Sequence, residues 1–297
     1  MDAIESVRQQ TYTHWEIVLV DDASTDNSQE LYKDLEKDER IHIYNNERNM
    51  GCGYTKRRCA ELAQGEICGF LDPDDALTKD ALELEAHIHV ANPEVAIIYS
   101  KPLFCDNNFN ILRYGHTPKF KKGETYLDHR LHGALNFAAY KNIYYKKTQG
   151  INPHLKGGVD QDLYFKMEEV GKFYVLDEFT YKYVVTGHPN AISCGVDNKV
   201  PLWYWNLVAR RDAFLRRGRK EDELIEDLRA FFVLYTEEQV RKKNKFYIDS
   251  IVKQDINEML YKKELQIRNS KSYRLGRLLL HPNWSNFKAL IKGLNEV

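Results

Sequence analysis

The chain has 297 residues, which is enough for one large α/β domain followed by a smaller helical region. Its 43 lysine and arginine residues nearly balance its 44 aspartate and glutamate residues, which argues against nucleic acid as a partner. The apolar runs are far shorter than the ~20 residues that a membrane-spanning helix needs, and the N-terminus lacks a signal-peptide pattern. We therefore expect a cytoplasmic protein whose five cysteines are reduced.

The N-terminal part of the sequence predicts alternating helices and strands. The predicted helices cover residues 2–10, 28–36, 54–64, 83–90 and 160–169. The predicted strands cover residues 15–20, 41–44, 67–71, 95–100, 173–176 and 180–185. This alternation predicts an α/β fold with a mostly parallel sheet covered by helices, with ligands beyond the carboxyl ends of the strands. Helical spacing predominates after Pro201, so we expect one domain over residues 1–200 and a helical C-terminal region over residues 201–297.

Acidic residues follow two of the predicted strands. Asp21 and Asp22 come after the first strand, and Asp72, Asp74 and Asp75 come after the third. In a parallel sheet both groups face one crevice, where five carboxylates would repel one another. A divalent cation such as Mn²⁺ or Mg²⁺, held by one or two carboxylates together with water and phosphate oxygens, would offset that repulsion. Turn formation and helix capping are the alternative role, because aspartate is favoured at both kinds of position.

Three segments occur in a distinctive order and spacing: VDDASTDNS at residues 20–28, NMGCGYTKRRCAELAQGE at residues 49–66 and FLDPDD at residues 70–75. Together they resemble the family 2 glycosyltransferases, which are inverting enzymes with the GT-A fold, and the likeness extends from about Asp2 to His188. The resemblance implies transfer of a sugar from a nucleotide-sugar, with a UDP-sugar as the expected donor. It also implies a saccharide or lipid-linked saccharide acceptor and a setting in bacterial surface-polysaccharide synthesis.

The resemblance implies roles for the two acidic groups. Asp21 and Asp22 correspond to the aspartate pair that contacts the nucleotide base. Asp72, Asp74 and Asp75 correspond to the DxD element, which binds metal and the donor diphosphate. Asp72 and Asp74 are the implied metal ligands.

Other site residues follow from the same resemblance. Lys56 corresponds to the basic residue of the family's ARN element, a phosphate or base contact, although Arg57 replaces the usual asparagine. The segment GVDQDLYFKM at residues 158–167 is similar to the one that contains the catalytic base, which corresponds to Asp160. The alternative role for Asp160 and Asp162 is to place negative charge at a helix N-terminus. His188 corresponds to the histidine of the family's YRxH element, which contacts the metal or the diphosphate.

Both ends of the chain raise further expectations. Family members usually open with an apolar strand, whereas the first predicted helix here begins at Asp2, so we expect an opening strand to be missing. A misplaced start codon and an impaired protein both remain as explanations.

Residues 271–292 form a basic stretch with apolar residues between the charges. Such a stretch is typical of peripheral contact with the inner face of a membrane, or of packing against the preceding domain.

Two other functions compete with the enzyme. A receiver-type signalling domain would also have acids at strand ends and a later lysine, but too few residues separate Asp72 from Lys101 for the elements that such a domain places there. A non-catalytic protein that binds nucleotide-sugars is the third hypothesis. Hydrolysis or transfer assays with the donor distinguish it from an active enzyme.

Overall fold

The computed structural model of the chain describes residues 2–117, 120–128, 137–185, 202–220 and 223. The helices are α1 (Asp2–Arg8), α2 (Ser28–Leu35), α3 (Cys52–Leu62), α4 (Ala81–Ala91), α5 (Asn142–Tyr145), α6 (Val159–Glu168) and α7 (Leu202–Arg216), with a 3₁₀ turn at Tyr126–Asp128. The strands are β1 (Ile17–Asp21), β2 (Ile41–Asn45), β3 (Ile67–Cys68), β4 (Ala76–Leu77), β5 (Val95–Cys105), β6 (Ile111–Tyr114), β7 (Tyr140–Lys141) and β8 (Lys172–Val184).

The strands form two sheets. The first contains β1 and β2, which pair in parallel from Ile17 with Ile41 to Asp21 with Asn45. The second has the order β3-β7-β5-β8-β4. In addition, β6 pairs with the C-terminal end of β5, from Leu103 to Cys105. Its longest ladder, between β5 and β8, is parallel, whereas the pairings of β3, β4, β6 and β7 are short and antiparallel. The predicted α/β fold class is confirmed, with parallel pairing in the two longest ladders.

The core centres on β5. This strand is a nearly continuous apolar run, and all of its residues except Lys101 are buried. Such a run is typical of a strand covered on both faces. Helix α4 packs against β5 and β8, where Leu84 and Ile88 contact the buried cluster of Val95, Ile98 and Leu176. This part of the core therefore lies between α4 and the second sheet.

A buried polar network ties the sheet to α4. The Glu85 carboxyl accepts hydrogen bonds from Thr180 and from the backbone of Ala139, and Thr180 is also bonded to Ser100. Burial raises the pKa of Glu85 to about 8, which favours its protonated form. The network is a structural feature of the interior.

Most of the predicted elements are present, with shifted ends. The two strands expected at residues 173–176 and 180–185 are one continuous strand, β8, and β5 extends five residues beyond its predicted end at Ser100.

The chain divides into two compact units, residues 1–213 and 214–297, and most of the second lies outside the described residues. The domain boundary expected after residue 200 stays a prediction, as does the expectation that an opening strand is missing.

Membrane contact was predicted only for the C-terminal region. Across the described ranges, none of the helices has both the length and the apolar composition needed to span a bilayer. Residues 271–292 lie outside those ranges, so both interpretations of this basic stretch stay predictions. The four described cysteines, Cys52, Cys59, Cys68 and Cys105, are free thiols.

Candidate active site

Lys56 joins two aspartates that are far apart in the sequence. Its ammonium nitrogen lies 2.9 Å from Oδ1 of Asp160 and 3.1 Å from Oδ1 of Asp72. Lys56 is on α3, Asp160 is in the first turn of α6, and Asp72 is in the loop that follows β3. The structure thus brings together a predicted phosphate contact, the predicted base and a predicted metal ligand.

Two glycines allow α3 and α6 to take these positions. A Cβ on Gly53 would collide with the backbone carbonyl of Leu155, so only glycine permits the close approach of α3 to the segment before α6. Gly158 precedes α6 with φ of +64°, a left-handed conformation that glycine adopts without steric penalty. Asp160 follows in the first turn, where the helix dipole favours a negative charge.

The three charged residues face a pocket with an aromatic wall. The ammonium of Lys56 lies 5.6 Å from the ring centroid of Phe70. The complete lining consists of Lys56, Phe70, Asp72, Ala138, Asp160, Leu163, Tyr164 and Tyr181. The side chains of Asp72 and Asp160 are 44% and 38% exposed, so their free oxygens are accessible to a ligand. Nothing in the local sequence pattern indicated that Phe70, Tyr164 and Tyr181 would line the same pocket.

The charge of Lys56 is fixed by its two partners. Burial opposes the charged form, but the carboxylates of Asp160 and Asp72 outweigh this effect and raise the pKa of the Lys56 ammonium. Lys56 is therefore a permanent cation at neutral pH. One lysine cation and two carboxylates together leave one net negative charge on Lys56, Asp72 and Asp160.

Asp75 supports the loop that contains Asp72. Its carboxylate accepts hydrogen bonds from the Tyr181 hydroxyl at 2.6 Å and from the Val184 backbone at 2.7 Å, both on β8. Burial raises the pKa of Asp75 to about 7. Because Asp75 is only 2% exposed and both oxygens are bonded, the geometry favours a supporting role, and its predicted contact with the donor stays untested.

Asp21 and Asp22 are bonded by the loops next to them. Asp21 is buried and accepts hydrogen bonds from the backbone and hydroxyl of Ser24 and from the side chain of Gln29. Asp22 accepts from the backbone nitrogens of Met50 and Gly51 and from Asn46. These bonds, which stabilise the charged form, outweigh burial and lower the pKa of Asp22. These contacts match the turn-forming part of the alternative role, since neither aspartate caps α2 or α3, and the predicted contacts with the nucleotide base stay predictions.

The predicted metal ligands differ in their surroundings. Asp74 is exposed, Asp72 is paired with Lys56, and His188 lies outside the described residues. No group of three or more histidine, cysteine, aspartate or glutamate side chains in the described part of the chain is arranged to hold a metal ion. The predicted metal site at Asp72, Asp74 and His188 therefore stays a prediction.

Asp162, two residues after the predicted base, has a separate role. It is 1% exposed, pairs with Lys166 at 2.7 Å and accepts a hydrogen bond from the Asn152 backbone. Lys166 in turn donates to the carbonyl of Gly150. The i, i+4 spacing of Asp162 and Lys166 was a signal for this pair, although it did not show that the pair would be buried.

Comparison with known proteins identifies the family. Residues 2–148 match the family described as glycosyl transferase family 2. The chain belongs to this family. The matched segment contains Lys56, Asp72 and both other acidic residues of the predicted DxD element, whereas Asp160 lies beyond it.

Curated relatives of this family 2 glycosyltransferase cover parts of its sequence. A chondroitin synthase of Escherichia coli is 27% identical over 192 residues, which are 64% of this chain and 27% of that protein. The UDP-Glc:alpha-D-GlcNAc-diphosphoundecaprenol beta-1,3-glucosyltransferase WfgD of E. coli is 33% identical over 107 residues, which are 36% of this chain and 41% of that protein. The chain spans between 27% and 33% of the length of several curated relatives that it matches.

Solved structures show the same fold. The crystal structure of S. aureus TarS residues 1–349 in complex with UDP-GlcNAc matches with a TM-score of 0.61 at 17% sequence identity. The match covers 99% of this chain and 87% of that chain. The predicted GT-A fold is therefore confirmed.

Proposed function

We propose that this family 2 glycosyltransferase moves a sugar from a nucleotide-sugar, with a UDP-sugar as the first candidate, to an acceptor hydroxyl with inversion. The observation that supports this most strongly is the contact of one lysine with both Asp72 and Asp160. It brings the residue proposed to act on the acceptor next to the residue proposed to hold the donor. A purely structural ion pair would not need two accessible carboxylates in one pocket.

Asp160 is the proposed general base. Its accessible carboxylate takes the proton of the acceptor hydroxyl as that oxygen attacks the anomeric carbon. The new bond joins the acceptor oxygen to this carbon, while the bond between the carbon and the departing nucleoside diphosphate breaks. Because attack and departure occur on opposite sides, the product has the inverted configuration. Lys56 supplies positive charge on the donor side of the reaction.

Asp72 and Asp74 are the proposed ligands of a divalent cation, Mn²⁺ or Mg²⁺. Their carboxylates are hard oxygen donors, and both side chains are accessible to a ligand, so the residues present fit such an ion. The cation would offset the negative charge that develops on the departing diphosphate.

The relatives support the choice of donor and acceptor. WfgD is named for UDP-glucose and for an acceptor on diphosphoundecaprenol, and TarS was crystallised with UDP and with UDP-GlcNAc. Chondroitin synthase and WfgD both support a role in bacterial polysaccharide synthesis. We propose that the present chain uses a UDP-sugar and a saccharide or lipid-linked saccharide acceptor in such a pathway.

Turnover of UDP-sugars by the purified full chain tests this proposal. Each UDP-sugar is incubated with Mn²⁺, and UDP release and the first-formed anomer of the free sugar are followed by NMR. We expect release from at least one donor, with the anomeric configuration opposite to that of the donor. Retained configuration would contradict direct displacement. Tight binding of UDP without release or transfer, over a panel of saccharide acceptors, would support the non-catalytic alternative.

A further inference from the structure

Lys56 is bound to a carboxylate that a divalent metal ion would also bind. Across the described part of the chain it is the one cation paired with either Asp72 or Asp160, and it is paired with both. A divalent cation that binds Asp72 would come within a few ångströms of this ammonium. Since like charges at that distance repel strongly in a partly buried pocket, the two cations compete for the same carboxylate.

The two arginines next to Lys56 cannot replace it. Arg57 is bonded to Glu61 at 2.8 Å and to the carbonyl of Ile151 at 3.1 Å. Arg58 is bonded to the carbonyl of Asn45 at 2.8 Å and to the side chain of Asn46. Both guanidinium groups therefore stabilise the packing around α3, and only Lys56 faces the two pocket carboxylates.

We propose that Lys56 is a placeholder for the divalent cation of the donor complex, an inference that rests on the proposed function. Without donor, its ammonium neutralises part of the charge of Asp72 and Asp160 and weakens binding of the free metal ion. When metal and nucleoside diphosphate arrive together, the diphosphate is a new anionic partner for Lys56. The lysine turns to it, Asp72 binds the metal, and Asp160 is released to act on the acceptor.

The chemistry of lysine suits this exchange. Its ammonium is a compact charge on a flexible stem of four carbons, so it can move from one anion to another without a change in α3. The consequence is a coupling between metal and nucleotide: each binds weakly alone, because Lys56 is then held by the carboxylates. Coupling between two ligands is typically about 5- to 150-fold in affinity.

Binding of Mn²⁺ alone to Lys56→Met tests the proposal. Electron paramagnetic resonance measures free Mn²⁺ during titration of the full chain in the absence of nucleotide. We expect Lys56→Met, which keeps the length of the side chain but removes its charge, to bind Mn²⁺ about 5- to 150-fold more tightly than the original chain. The same variant should bind UDP more weakly in the presence of Mn²⁺. Lys56→Arg, which keeps the charge, should bind free Mn²⁺ as weakly as the original chain.

Lys101→Met is the matched control. Lys101 also pairs with an aspartate, Asp177, at 2.6 Å and also lies over an aromatic ring, that of Phe179, but it is not part of the pocket. Its loss should leave Mn²⁺ affinity unchanged. Weaker or unchanged Mn²⁺ binding by Lys56→Met would overturn the placeholder role, while metal-dependent UDP binding by the original chain would still support the proposed function. Failure of the original chain to bind UDP under any condition would instead reject the proposed function.

A crystal structure tests the same proposal without a substitution. In the original chain with Mn²⁺ and UDP, we expect the Lys56 nitrogen to bond a diphosphate oxygen and to lie more than about 4 Å from Asp160, beyond hydrogen-bond distance. A lysine that still bridges Asp72 and Asp160 in that complex would overturn the proposal.

Discussion

The acidic residues at the end of β1 and those near Lys56 have different surroundings. At the end of β1, the Asp21 and Asp22 carboxylates accept hydrogen bonds from backbone nitrogens and side chains of neighbouring segments. In the pocket, Asp72 and Asp160 are both paired with the Lys56 ammonium and keep accessible oxygens. The first arrangement stabilises loops, whereas the second leaves carboxylates available for a ligand.

This difference shows that aspartates at the ends of strands can have either a structural role or a role in ligand binding. The partners of a carboxylate decide its role more than its position at the end of a strand. Carboxylates held by backbone nitrogens are replaced at a cost to stability, and carboxylates held by a lysine are replaced at a cost to ligand binding or rate. Substitutions in the two regions should therefore change different measurements.

The largest expected effect belongs to Asp160→Asn. Asparagine keeps the shape but cannot accept the proton, and loss of general-base assistance typically lowers the rate about 10²- to 10⁴-fold. Because Asp160 is 38% exposed and is not part of the core, the unfolding free energy should change little. Steady-state kinetics with a known acceptor measure the loss of rate, and calorimetric titration checks that UDP affinity is unchanged. A variant with near-normal turnover and unchanged UDP affinity would show that α6 merely has an acidic first turn.

Asp162→Asn should have the reverse effect. Removing one partner of a buried ion pair leaves Lys166 buried without its carboxylate, which costs about 3–5 kcal/mol of stability. Urea unfolding of this variant measures the loss. Replacing both residues, as in Asp162→Asn with Lys166→Met, should recover part of it, because no buried charge then remains. A fully stable Asp162→Asn protein with impaired turnover would reverse the roles assigned to the two aspartates.

Asp22→Ala should have a smaller effect on stability. It removes the charged acceptor for the backbone nitrogens of Met50 and Gly51, just before α3, and loss of hydrogen bonds to a charged group costs about 1.5–3 kcal/mol. Denaturant unfolding at neutral pH provides the measurement. A loss of UDP affinity without loss of stability would instead favour the predicted base contact.

The pH dependence of this effect has a definite sign. The folded pKa of Asp22 lies below its usual 3.8, so its charged form stabilises the fold above that pH. The contribution disappears as the pH falls through the lowered pKa, because folded and unfolded chains then both carry a protonated carboxyl. The difference in unfolding free energy between the original chain and Asp22→Ala should therefore shrink in acid. A difference that grows below pH 3.8 would contradict the assignment.

The sequence predicted the elements better than the contacts between them. Periodicity and capping residues located α2 and β2 within one residue at each end. The strands β4 and β7 were missed because a two-residue pairing has no periodicity of its own. Their partners in β8, β3 and β5 are distant in the chain, so only the folded sheet defines them.

The same limit applies to the candidate site. Strand ends and family resemblance indicated Asp72, Lys56 and Asp160 separately, but their contact depends on how α3 packs against α6 through the close approach at Gly53. A structural role for Asp22 was an alternative at the sequence level, whereas its partners Met50 and Gly51 lie in a loop without a regular pattern. Local patterns therefore gave the residue types of the site, and packing gave their partners.

Calorimetric titration of the full chain with UDP, with Mn²⁺ and then with a chelator, tests most directly whether the Lys56 pocket is the donor site. We expect clear binding in Mn²⁺ and loss of at least about tenfold in affinity after chelation, since the diphosphate would then face Asp72 without the cation. Asp72→Asn should remove most of the difference between the two conditions. Equal affinity with and without metal, or an Asp72→Asn protein that keeps the full metal effect, would contradict the assignment of this pocket as a metal-dependent donor site.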